Sequence, residues 1–164
     1  MLLVLDGLPM MTGLERQELR RTASHEAGHA VVSAHLGAPF EYLSISEDGT
    51  GLVQPSITDE GDGAYRELAG KHLIVAYAGV EAQRMFHPEQ PLWQIVACAQ
   101  DDADKVRAMT EEFGFTTAEQ SQAKEQATAL VQQLRKEIQA TADALLERRT
   151  LTFGEVKTLL TQVV

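Results

Sequence analysis

Apolar positions recur with helical spacing over most of this chain. Thr12, with Glu15 three residues on to complete a capping box, opens a helix that becomes apolar around Ala23, Ala27, Ala30, Val31 and Val32. Gly37 and Pro39 then stop the pattern, which predicts a first helix from about Gly13 to Leu36. In "EYLSISEDGTGLVQPSI", Glu41 to Ile57, apolar and polar residues alternate on either side of a tight-turn composition, Asp48-Gly49-Thr50-Gly51. That is a β-hairpin, and it is the one clear strand signal. After the acidic, glycine-containing "TDEGDG", a strongly apolar helix is predicted from Ala64 to Phe86, closed by His87-Pro88. "PEQPLWQIVACAQ" reads as irregular. Another helix starts at Asp101 or a neighbour and ends near Phe113-Gly114. Thr117 with Gln120 then opens a long helix to about Arg148, with Leu130, Val131, Leu134, Ile138, Leu145 and Leu146 along one stripe. Thr152 and Glu155 cap a last short helix. The expected architecture is mainly α with one small hairpin.

The 164 residues suffice for one domain with a real core, read here as residues 13–164 behind a flexible tail at 1–12. The tail is apolar, but Asp6, Gly7 and Pro9 interrupt it and it lacks the ~20 apolar residues of a membrane span. The net charge of -10 would repel a phosphate backbone, so nucleic acid is not an expected partner. A single cysteine, Cys98, cannot form an internal disulfide, which fits a cytoplasmic setting.

The chemistry concentrates in "HEAGH", His25 to His29. Residues four apart share a helix face with Cβ atoms ~5–6 Å apart, so the two imidazoles can aim at one ion. Glu26, one step round the helix, can stand beside that ion as a proton acceptor. Gly28 costs ~1 kcal/mol against alanine inside a helix and needs a reason to be there. A zinc enzyme of this type takes a third protein ligand and leaves one position open. His35 stands at the metzincin spacing, but Val32 occupies the place of the glycine that turns such chains back to the metal. In a continuing helix His35 lies six residues, about 240°, round from His29, so it is expected at the surface or helix end. A carboxylate must complete the set. Glu81 is one candidate, with pairing to Arg84 as its ordinary role, and the cluster Asp101, Asp102 and Asp104 is the other. Spacing alone does not choose.

"TASHEAGHAVV" resembles the zinc motif of the FtsH-type metallopeptidases, the proteolytic part of membrane-bound AAA proteases. The likeness runs in order from about Glu15 to Leu160. "AYAGVEAQRMF" is similar to the family's GGRxAE helix, "AQDDADKVRAMTEEFGF" to its GxxND segment, and "ADALLERRTLTFGEVKTLL" to its ALLExETL signature. The resemblance implies a zincin-like helical domain, with Zn²⁺ held by His25, His29 and Asp102 and Glu26 as general base. It also implies a β-element beside the cleft on which an extended polypeptide substrate lies. Val80 and Gln83 stand where the family has Arg and Glu, so support around the site is expected to differ. The sequence has no G-x-x-x-x-G-K-[ST] phosphate loop. The expectation is a peptidase domain standing alone: a zinc metalloendopeptidase acting on unfolded polypeptides without ATP, with folded substrates needing a separate unfoldase. The alternative is a zinc-binding regulatory module with the same fold, and a homo-oligomer is open.

Overall fold

The computed structural model describes residues 12–55 and 62–162. The tail at 1–11, the end of the predicted hairpin at Ile57 and most of "TDEGDG" lie outside them. The described residues form seven helices and one small sheet. Helix α1 spans Gly13–Leu36, as its flanks predict. The Thr12 N–H donates to Glu15 Oε2 at 2.6 Å, the Glu15 N–H donates back to Thr12 Oγ1 at 3.2 Å, and Gly37 ends the helix in the left-handed conformation.

Strands β1 (Phe40–Ile45) and β2 (Gly51–Pro55) form the predicted antiparallel hairpin. A third strand, β3 (Thr150–Thr152), pairs antiparallel with β1, giving the order β2-β1-β3. Three residues are too few for alternation to register, which is why β3 escaped the sequence reading. Among the described residues β2 is therefore an edge strand.

Helix α2 spans Asp62–Phe86, and the stretch read as irregular contains a short helix, α3 (Leu92–Cys98). Helix α4 is Gln100–Phe113. The long helix expected to run to Arg148 is two: α5 (Thr117–Gln133) and α6 (Arg135–Arg148), parted at Leu134 (φ -96°, ψ 23°). No proline or glycine marks the break. Its cause is tertiary, since α5 packs on α2 whereas α6 packs on α1. The cap of α5 is Thr116 with Glu119, one residue before the predicted pair. Helix α7 (Phe153–Gln162) follows the predicted Thr152–Glu155 box.

The core is built around α1, which packs against α2, α6, α7 and the sheet. Residues 23–33 of α1 are buried without interruption, so this helix is enclosed all round rather than amphipathic. At Gly28, α1 and α2 approach each other closely. A Cβ there would stand 2.6 Å from the Ala82 Cβ and 2.7 Å from the Ala78 carbonyl oxygen, so even alanine would force the helices apart. No helix among the described residues is long and apolar enough to cross a membrane.

Candidate metal centre

The close crossing of α1 and α2 carries His25 and His29 inward against α2, and the first turn of α4 brings Asp102 to meet them. Asp102 Oδ2 lies 2.8 Å from His25 Nε2 and 3.1 Å from His29 Nε2, and the two Nε2 atoms are 3.0 Å apart. All three residues are buried, and their ligand atoms lie close enough together to hold a metal ion.

The far side of each ring explains why. His29 Nδ1 lies 2.7 Å from the Val75 carbonyl oxygen and His25 Nδ1 lies 3.0 Å from Gln83 Oε1. Both oxygens are acceptors, so each Nδ1 donates and each Nε2 is left with a lone pair. Two imidazole lone pairs and a carboxylate oxygen then converge within about 3 Å, an arrangement that repels itself unless a cation occupies the middle. The backbone makes room for one. A Cβ on Gly79 of α2 would fall 2.8 Å from His25 Nε2 and closer still to the His29 ring, so any side chain there would intrude on the ligand atoms. Two imidazoles and a carboxylate form a donor set that suits zinc.

A proton is the alternative cation. Burial pulls the His29 imidazole down from its ordinary 6.5, but the Asp102 carboxylate, with help from Glu26 and the Val75 carbonyl, outweighs it and raises the group to about 9. Burial likewise pushes Asp102 up, and the two histidines outweigh that, holding it well below the usual carboxylate range. Both shifts describe one ion pair, which is counted once. His29 is raised relative to the unfolded chain, so in metal-free protein this stabilisation is complete below about 6.5 and is lost as pH climbs through about 9. Asp102 is lowered, so its share persists above the ordinary carboxylate range and fades only in strong acid. A metal must displace the His29 proton. The melting temperature of the metal-free protein is therefore expected to fall between pH 6.5 and 9, and the gap to the metal-loaded protein to widen over the same range. Thermal melts with and without chelator measure both; a gap that narrows with rising pH would contradict this.

The other sequence candidates fall outside the cluster. Glu81 pairs with Arg84 at 3.3 Å, the ordinary role considered for it. Asp101 is exposed, and Asp104 accepts from Arg107 at 2.8 Å. His35 is exposed in the last turn of α1. Gln83 enters the sequence analysis only as a departure from the family pattern, and nothing in the adjoining Ala82, Arg84, Met85 and Phe86 marks it as a partner of His25.

The cluster opens onto a cavity of about 1010 Å³. Its walls are α1, with Glu18, Thr22 and Glu26, strand β2, with Gly51, Leu52 and Val53, and helices α2 and α4. Glu26 is buried, lies against Gly51 so closely that a Cβ there would stand 2.6 Å from its Cδ, and has no hydrogen-bond partner among the described residues. No protein donor occupies the Glu26 carboxylate, and the residue lines the cavity beside the cluster, where the group can act on what enters it. No protein-family model matches this sequence, and no curated protein matches it.

Proposed function

We propose that this protein is a zinc metalloendopeptidase that hydrolyses unfolded or flexible polypeptides, as the resemblance to FtsH-type peptidases implies. The observation that carries the reading is Glu26, a carboxylate with no protein hydrogen-bond donor, lining the same cavity as the His25, His29 and Asp102 cluster. An ion held there supplies Lewis acidity toward a carbonyl and toward water. The chain's own residues do the rest. His25, His29 and Asp102 would hold the ion. Glu26 accepts a proton from the attacking water and returns it to the leaving amine. Among redox and hydrolytic uses of such a donor set, a free carboxylate beside it favours hydrolysis.

The edge of β2 supports a peptide substrate. It lines the cavity and pairs with β1 alone among the described residues, so an extended segment can add to it as a further strand. Such a segment of ~6–8 residues must first be free of its own hydrogen-bonded structure. Glu18, Asp101 and Asp104 at the cavity wall, within a chain of charge -10, favour basic segments, and salt weakens that preference.

Two measurements test the proposal. Metal analysis of purified protein should give one zinc per chain. A stably folded domain and its destabilised variant, incubated with the zinc-loaded protein with and without ATP, should show cleavage of the variant alone, independent of ATP and abolished by chelator. Zinc at full stoichiometry with no cleavage of any unfolded substrate would sink the peptidase reading in favour of a zinc-binding module. Equal cleavage of both substrates would refute the need for an extended chain.

A further inference from the structure

Behind His25, on the side of its ring opposite the Nε2 atom that faces Asp102, lie two buried amides that the proposed reaction does not use. Gln83 Oε1 lies 3.0 Å from His25 Nδ1, and Gln83 Nε2 donates to Gln90 Oε1 at 2.8 Å. Gln83 is 2% exposed and Gln90 6%. The turn that carries Gln90 is anchored to the helix that carries His25: Ser24 Oγ lies 3.1 Å from His87 Nε2, and the Gln90 N–H donates to the His87 carbonyl at 3.0 Å.

A chain of primary amides has a direction. With oxygen toward Nδ1, Gln83 requires a hydrogen on Nδ1, which leaves the Nε2 lone pair for the ion. With both amides reversed, an NH₂ would face Nδ1, the hydrogen would move to Nε2, and it would point into the place of the metal. The direction observed is the metal-binding one, and Gln90 is its far end. We infer that Gln83 and Gln90 are positioning residues of the metal centre: whether position 90 accepts or donates sets the direction of the Gln83 amide, hence the His25 tautomer and the affinity for metal. This inference rests on the metal-binding reading above.

An acceptor at position 90 should hold the chain in the metal-binding direction, and an apolar residue should leave it free to reverse. Gln83→Met is expected to weaken Co²⁺ and Zn²⁺ binding by ~10–100-fold, the range for loss of a partner behind a metal-binding histidine. Gln90→Met should weaken it by about tenfold, the low end of that range, whereas Gln90→Glu, which can only accept when ionised, should bind at least as tightly as wild type. Chelator competition gives the affinities. The visible bands of the Co²⁺ protein should shift in both methionine variants and return in Gln90→Glu, a signature that a purely structural role would not move. Melting of the metal-free variants verifies folding; should the methionine variants fail to fold, Gln90→Glu decides alone, and tenfold weaker binding in it overturns the inference. Wild-type protein that takes up neither metal sinks the metal centre itself. Wild-type protein that binds, with both methionine variants matching it in affinity and spectrum, sinks only the role of the two glutamines.

Discussion

Replacing Glu26 by glutamine is expected to leave metal stoichiometry unchanged and to lower peptide hydrolysis by ~10²–10⁴-fold, the usual contribution of a positioned general base. The two parts of this result have separate structural causes. Metal is retained because Glu26 is not in the cluster; the three ligand atoms belong to His25, His29 and Asp102. Rate is lost because an amide cannot take up the proton of the attacking water, while its nearly identical shape still fits the narrow space against Gly51. Parallel metal analysis and kcat/KM measurement check both. Activity within tenfold of wild type would place the base elsewhere, and loss of metal would mean that Glu26 helps to hold it.

Asp102→Ala is expected to weaken metal binding by well over the ~10–100-fold that loss of an outer partner causes, since it removes a ligand outright. Glu81→Ala should leave binding within about twofold of wild type, because Glu81 faces Arg84 rather than the histidines and a partly exposed pair of this kind contributes only ~0.2–1 kcal/mol. Asp102→Ala also strips His29 of its counter-charge, so the variant's metal-free fold must be verified by melting before the affinity is read. The opposite pattern, with Glu81→Ala emptying the site and Asp102→Ala leaving it full, would overturn the ligand set.

Features that depend on near neighbours were legible in the sequence. Thr12 with Glu15 and Gly37 bracket α1 to the residue, Asp48 to Gly51 marks the hairpin turn, and His25, Glu26 and His29 stand on one turn of helix. Features that depend on distant packing were not. Spacing could not choose between Asp102 and Glu81, because what brings Asp102 to His29, 73 residues away, is the packing of α4 on α2. The break at Leu134 has no local signal, since it answers to α5 and α6 resting on different helices. Gly79 was legible in principle: a glycine in the middle of an apolar helix costs about as much as Gly28 and called for the same question.

The three ligands do not come from equally secure parts of the molecule. Helix α1 runs through the core, whereas α4 leans mainly on α2 and α3 at the periphery. An ion shared between them acts as a removable cross-link, and opening of the outer helix becomes coupled to its departure. At a free metal concentration 100 times the dissociation constant, that coupling adds about 2.7 kcal/mol to the opening free energy, roughly a hundredfold fewer open molecules. Amide hydrogen exchange in α4 should slow on metal loading far more than in α1. On the peptidase reading proposed above, the metal-loaded form, the one able to cut, would also be the one whose α4 is held closed against cleavage by other copies.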